Sequence, residues 1–217
     1  MKNLIVCFAF YIIAFTASAQ TQANFWDDVQ TIKKIDKIYK APEHPVLFTG
    51  SSSIRKWDNL NLVFPKYNVL NRGIGGAIIN DIIYYLDDLV FAYQPSQIVL
   101  YVGENDLPSA SADTILSRTR LLYNKIRTKL PSVPLVYISI KPSPVRAQFV
   151  QKAAEANRLI KTFLAADKNV KFVDVYSAML TKEGKTRPEL FVGDMLHMNK
   201  KGYELWRKAL KPYLLKP

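Results

Sequence analysis

The chain has a single cysteine, Cys7, and it falls inside the first apolar stretch. Beyond that stretch there is no thiol. This excludes disulfides, thiolate metal centres and a cysteine nucleophile from the body of the protein. Histidine is nearly as scarce. His44 and His197 are the only two, far apart in sequence, and they do not make a metal ligand set. Neither a metal nor another cofactor is expected. Apolar runs of the roughly 20 residues needed to span a bilayer are also missing. Acidic residues are in deficit, 18 against 30 lysines and arginines, giving a formal charge of +12. Such a balance raises nucleic acid as a partner. The basic residues are spread, however, over Lys33, Lys34, Lys37 and Lys40, over Arg118, Arg120, Lys125, Arg127 and Lys129, and over Lys200, Lys201, Arg207, Lys208 and Lys211. Spread charge of this kind reads as solvated helical faces, so no nucleic-acid partner is expected. Attraction to anionic envelope or polysaccharide surfaces is the expected relevance.

The first residues read as a leader. Lys2 gives a short basic start, Leu4 to Phe15 is apolar, and Ala17-Ser18-Ala19 supplies a small-residue cleavage pattern before Gln20. The expectation is a cleaved signal peptide over 1–19, an exported protein, and one domain over 20–217. Losing Lys2 takes the formal charge from +12 to +11.

Strand-like and helix-like segments then alternate. Phe25, Trp26, Val29, Ile32, Ile35 and Ile38 mark one helical face. Apolar strands are predicted at Pro45–Thr49, Tyr67–Asn71, Gln97–Val102, Pro134–Ile140 and Val170–Val175. Helices are predicted with Ile79, Ile82, Ile83, Leu86 and Val90 on one face, around Ile115, Leu122 and Ile126, and through Phe149, Ala153, Ile160 and Phe163. A last helix, capped by Asn199, carries Tyr203, Trp206 and Leu210. Strand–helix alternation with nearly continuous apolar strands implies a five-stranded parallel sheet covered on both faces. Ligands of such sheets sit beyond the carboxyl ends of the strands.

Four segments fall at that end. Gly50-Ser51-Ser52-Ser53 leaves the first strand and presents a serine at a strand-to-helix turn; an ordinary capped turn has the same residues. Asn71-Arg72-Gly73-Ile74-Gly75-Gly76 follows the second strand. It lacks the Lys-Ser/Thr of a phosphate loop, and tight turning alone accounts for its glycines. Gly103-Glu104-Asn105-Asp106 follows the third strand and, with Pro108 behind it, fits a plain turn or an amide donor flanked by acids. Asp194-Met195-Leu196-His197 places a carboxylate three residues before an imidazole, the spacing of a base and its orienting acid; a surface loop that happens to carry both residues reads the same. His44 precedes the first strand while Ser52 follows it. Six residues at about 3.3 Å each set them roughly 20 Å apart, so His44 is expected in a loop or cap role.

Taken in order, these blocks resemble the SGNH/GDSL hydrolases, a family of esterases and lipases on a flavodoxin-like three-layer α/β/α sandwich. The resemblance runs from about Val46 to Trp206. It makes Ser52 the nucleophile, Asp194 and His197 the other triad members, and Gly76 and Asn105 oxyanion donors together with the Ser52 amide. One departure stands out: Ser51 occupies the place of the aspartate in the Gly-Asp-Ser-Leu motif. Arg55 and Trp57 follow the serine turn and either meet substrate or pack at the helix start. Lys141-Pro142-Ser143-Pro144 after the fourth strand is expected as a stiff loop or a rim of the cleft.

The resemblance implies acyl transfer to water without a cofactor. The expected substrate is an ester, with O-acetylated or otherwise acylated carbohydrate preferred because export and basic charge suit polysaccharide and no long apolar lid segment is evident. A lipid esterase or lysophospholipase, an acyltransferase with the same triad, and a non-catalytic glycan-binding module are the alternatives.

Overall fold

The structure, a computed structural model, describes residues 23–216. The expected leader over 1–19 and Cys7 lie outside the described residues. Five parallel strands form one sheet: β1 (Val46–Gly50), β2 (Val69–Gly73), β3 (Gln97–Tyr101), β4 (Leu135–Ile138) and β5 (Val170–Val173), in the order β2-β1-β3-β4-β5. This is the doubly wound, flavodoxin-like arrangement. The five predicted strands are all present, with β2 starting two residues later than its apolar run suggested.

Right-handed crossover connections dictate where the helices lie. From β1 the chain moves outward to β2 through α2 (Ser52–Arg55) and α3 (Leu60–Val63), which pack on one face with Phe48, Val99, Val136 and Ile138. After β2 it reverses direction and steps across the sheet, so the intervening helices must lie on the other face. These are α4 (Ile79–Tyr84) and α5 (Leu86–Leu89), then α6 (Ala112–Lys129) and α7 (Val150–Leu164), packed with Leu47, Ile98, Leu100, Leu135 and Tyr137. The period-two alternation of each strand feeds both cores: Phe48 enters one and Leu47 the other. The C-terminal helix α8 (Lys200–Leu210) returns to the α2 face, burying Trp206 and Leu210.

One helical expectation needs correction. The face around Ile79–Val90 is not one helix but two, broken at Tyr85, whose hydroxyl donates to the Asn24 carbonyl at 2.6 Å. The first helix, α1 (Trp26–Ile38), forms as predicted, yet only Val29 of its apolar face is fully buried, and Ile38 is 72% exposed. α1 lies over the edge strand, where Asp36 pairs with Arg72 of β2. A helix on a sheet edge covers little more than a turn's width of core.

The direction of the chain reverses between β1 and β3. The segments leaving these two neighbouring strands therefore diverge to opposite faces and open a crevice at their carboxyl ends. Ser52 follows one strand and Asn105 the other.

Candidate active site

The serine turn is set by close backbone approach. Gly50 has φ +130°, and a Cβ there would fall 1.8 Å from the Tyr101 carbonyl oxygen, so only glycine lets β1 end beside β3. Ser51 N–H then donates to that same carbonyl at 2.9 Å. Asn71 holds the turn from the β2 side: its Nδ2 donates to the Ile54 and Trp57 carbonyls at 2.7 and 3.2 Å, while its Oδ1 accepts from Gly73 N–H at 3.0 Å. From the α8 side the Tyr203 hydroxyl donates to the Ser53 carbonyl at 3.0 Å.

Of the three adjacent serines, Ser51 and Ser53 are buried, whereas Ser52 Oγ lies 3.0 Å from His197 Nε2. The far nitrogen of the ring, Nδ1, is 2.6 Å from Asp194 Oδ2. Asp194 Oδ1 accepts two backbone bonds, from Leu196 N–H at 2.9 Å and from His197 N–H at 2.8 Å. Those two bonds fold the Asp-x-x-His segment back on itself, with Met195 in the left-handed region at φ +55°. The His197 hydrogen bond is the chief cause, and the two amides add to it, of an Asp194 carboxyl held well below the usual carboxylate range. As a carboxylate it accepts from Nδ1, which fixes that nitrogen as the protonated one and leaves Nε2 to accept from the serine.

The glycine turn sits against the serine turn. A Cβ on Gly73 would meet Arg55 N at 2.4 Å. Gly76 has φ +84°, which suits a residue without Cβ. Among the described residues, neither Ser52 N–H nor Gly76 N–H donates to another group. Asn105 meets this turn through Nδ2, which donates to the Ala77 carbonyl at 3.0 Å and keeps its second N–H unspent. Asp106 is fully buried and ties the two loops together, accepting from Ile79 N–H at 3.1 Å and from Arg118 at 2.6 Å. Burial pushes its carboxyl up, and the Arg118 pair and the Ile79 amide oppose that without cancelling it. The structure thus brings Ser52, Gly76, Asn105, Asp194 and His197 to one end of the sheet.

His44 is not among them. It lies before β1 with φ +45°, and its Nδ1 donates to the Gln94 carbonyl at 3.0 Å, closing a loop at the opposite end. The Arg55 guanidinium pairs with Asp28 at 3.1 Å, lies beside Gly75 and lines a 530 Å³ cleft between α1 and β2. Trp57 is packed in the core against Phe48, Phe64 and Trp206. Among the described residues no group of three or more metal-ligating side chains occurs.

The Lys141–Pro144 segment is the loop its prolines suggested, not a rim. Lys141 and Ser143 do not rim the cleft; both are 1% exposed. Lys141 Nζ donates to both Glu104 carboxylate oxygens at 2.8 and 2.6 Å, to Ser143 Oγ at 2.8 Å and to the Leu196 carbonyl at 2.8 Å. The Ser143 and Tyr101 hydroxyls complete the shell of Glu104. Burial alone would raise the Glu104 carboxyl, but the Lys141 and Arg146 charges and the donated hydrogen bonds outweigh it and hold it down. One buried cation thereby joins the loop bearing Asn105 to the loop bearing His197. Sequence reading missed this. Its only trace was a lysine and a serine spaced by prolines directly after an apolar strand.

A model of the GDSL-like lipase/acylhydrolase family matches residues 44–205. Comparison with curated proteins found no match. Among solved structures the chain is similar to a candidate platelet activating factor from Streptococcus pneumonia, with 23% identity, TM-score 0.76, and 87% of this chain and 92% of that one covered. It is similar to a GDSL-like lipase from Bacteroides thetaiotaomicron, with 20% identity, TM-score 0.73 and coverage of 85% and 96%. It is also similar to a catalytic mutant of Axe2, an acetylxylan esterase from Geobacillus stearothermophilus, with 17% identity, TM-score 0.60 and coverage of 79% and 95%. At these identities the solved structures establish the fold alone, whereas the family match spans most of the sequence and all four of its blocks. The chain belongs to the GDSL-like lipase/acylhydrolase family.

Proposed function

We propose that the protein is an exported serine ester hydrolase that works through an acyl-enzyme on Ser52 and removes O-acetyl or other short acyl groups from carbohydrate. The observation that carries the reading is the unbroken hydrogen-bonded series from Asp194 through His197 to Ser52. His197 Nε2 takes the proton from Ser52 Oγ as the oxygen attacks the ester carbonyl, and returns it to the departing alcohol. Asp194 holds the ring and stabilises the imidazolium. The oxyanion is received by Ser52 N–H, Gly76 N–H and the unspent N–H of Asn105, each aimed before charge develops. Water then repeats the attack on the acyl-enzyme through the same imidazole. Arg55, beside the glycine turn, is proposed to meet the alcohol side of the ester.

Carbohydrate is preferred because the expected leader directs the chain out of the cell and the surplus of basic side chains suits acidic polysaccharide. The acetylxylan esterase among the structural neighbours is consistent with it. An ester of a longer acyl chain is the second reading, favoured by Val145, Val192 and Met195. These are 52, 42 and 38% exposed on the loops that flank His197. Their backbones are joined by Val145 N–H to Met195 O and Met195 N–H to Val192 O.

Release of p-nitrophenol from its acetate ester, by wild type and by Ser52→Ala, tests the hydrolase. Turnover in the wild type and background in the variant is the expected result; equal background rates in both would point to a non-catalytic module. Acetylated glycans run beside esters of short and long acyl chains then decide the substrate. Faster turnover of the long-chain esters would replace the first reading by the second.

A further inference from the structure

We infer that Arg146, which lies on no strand and in none of the recognised blocks, is a positioning residue that decides which end of the Asn105 amide faces the reacting carbonyl. The inference rests on the hydrolase reading above. Arg146 follows the Lys141–Pro144 loop, within a short 3-10 turn whose regularity breaks at its own φ of −115° and ψ of 27°. Its guanidinium makes two bonds into the Asn105 loop: Nη1 donates to the Glu104 carbonyl at 2.5 Å and Nη2 donates to Asn105 Oδ1 at 2.9 Å.

An asparagine can serve an oxyanion with one end only. Its NH2 donates; its carbonyl oxygen would repel the developing charge. The two ends are almost identical in shape, so packing does not choose between them. Charge does. A guanidinium carries donors and no acceptor, so the amide end it can meet is the oxygen. On the other side the Ala77 carbonyl is an acceptor and can meet only Nδ2, which it does at 3.0 Å. Rotating the amide by half a turn would set NH2 against the guanidinium and oxygen against oxygen, losing two hydrogen bonds and creating two repulsions. With the amide held this way, one N–H goes to Ala77 and the other is left for substrate.

The guanidinium is itself held. Glu104 Oε1 lies 3.9 Å from Arg146 Nη1, and that carboxylate is anchored by Lys141, Ser143 and Tyr101. Removing Arg146 therefore leaves Glu104 with three partners and a full countercharge, and the fold is expected to survive. What is lost is the electrostatic bias on the amide and the fixed position of the loop carbonyl beside it.

The test is a double-mutant cycle on p-nitrophenyl acetate with wild type, Arg146→Met, Asn105→Ala and the double variant. Arg146→Met is expected to lower kcat by about tenfold or more, within the roughly 100- to 1000-fold loss expected for removing the donor itself, with KM little changed. In the Asn105→Ala background the same substitution is expected to have no further effect, because there is no amide left to orient. A role confined to stability would instead lower both backgrounds by the same factor, and that outcome overturns the inference. So does a wild-type kcat in Arg146→Met, or a loss borne by KM alone. If Arg146→Met fails to fold, Arg146→Lys carries the same cycle. A lysine does not reproduce the planar fork that serves both acceptors. A kcat loss that vanishes without Asn105 supports the assignment, and a loss that persists, or no loss, overturns it. The hydrolase reading fails separately, by an inactive wild type or by Ser52→Ala at wild-type rate.

Discussion

Asp194→Asn offers a sharp test of the chemistry, because it changes one atom type and almost no volume. Asp194 makes three bonds: Oδ1 takes the Leu196 and His197 amides at 2.9 and 2.8 Å, and Oδ2 takes His197 Nδ1 at 2.6 Å. An asparagine cannot accept on both sides. If its oxygen stays with the two amides, its NH2 faces the ring and Nδ1 must become the acceptor. The proton then sits on Nε2, and the ring can no longer accept from Ser52. If the amide turns over, the ring keeps its tautomer, but two backbone donors lose their acceptor. Each net hydrogen bond is worth about 0.5–1.5 kcal/mol; the first arrangement keeps all three bonds, the ring bond reversed, and the second loses two, which favours the first and the wrong tautomer. In serine proteases the equivalent change costs about 10⁴ in kcat. Here the Asp194 side chain is 45% exposed, and water at its edge softens the preference. The expected loss is therefore about 10³-fold, or about 4 kcal/mol at 1.36 kcal/mol per decade. Steady-state kcat on p-nitrophenyl acetate measures it, and nitrogen-15 correlation spectra of the His197 ring read the tautomer independently. Asp194→Ala should keep the correct tautomer in part but release both amides, and so loosen the loop. A variant with asparagine that stays within tenfold of wild type, or that shows Nδ1 still protonated, refutes the reasoning.

Other outcomes follow from the same contacts. Asn105→Ala should cut kcat by roughly 100- to 1000-fold with an unchanged circular dichroism spectrum; a near wild-type rate removes Asn105 from the oxyanion site. Lys141→Met leaves the Glu104 carboxylate buried without its main countercharge, and breaking such a pair costs about 3–5 kcal/mol. The urea midpoint should fall accordingly and recover in large part in Lys141→Met/Glu104→Gln; a single variant as stable as wild type contradicts the network. Because Glu104 is held below its ordinary value of about 4.5, the unfolded chain binds its proton first on acidification. Its contribution is thus complete above about pH 4.5 and is lost as the pH falls through the lower folded value. Urea midpoints followed from pH 7 to pH 3 should show that acid limb in wild type and a flatter one in Glu104→Gln. Gly50→Ala should destabilise by more than about 4 kcal/mol or prevent folding, since the new Cβ would lie 1.8 Å from a backbone oxygen in a paired strand. A soluble variant with wild-type melting behaviour would refute that.

The strands were legible because a parallel sheet buried on both sides needs runs such as Gln97–Tyr101, and few other structures tolerate them. The helices were less so. The face from Ile79 to Val90 keeps helical spacing across Tyr85, and nothing in that spacing reports a bond from the Tyr85 hydroxyl to Asn24, some 61 residues earlier. Likewise the apolar face of α1 carries no record of how little sheet lies beneath it. Amphipathic period states that a face is available for burial, whereas coverage depends on which strand the helix happens to lie over.

A related distinction runs through the site. Ser52, Asp194 and His197 were readable because their blocks resemble those of a family in which acyl transfer constrains the side chains, and few substitutes would serve. The elements that hold them face no such demand. The Asp106 carboxylate, read as a turn residue before Pro108, needed only to accept from whatever donor lay across the crevice, and that proved to be Ile79 N–H with Arg118 behind it. The Lys141 ammonium needed only to find Glu104 and the Leu196 carbonyl, partners 37 and 55 residues away. Burial turns these interchangeable groups into specific ones. An ammonium at the surface gains little from a carboxylate, but at 0% side-chain exposure its loss leaves a charge with no water to receive it. For this reason the residues that a sequence reader assigns to loops, Lys141 and Arg146 above all, are where substitutions should disturb turnover without touching the reacting atoms.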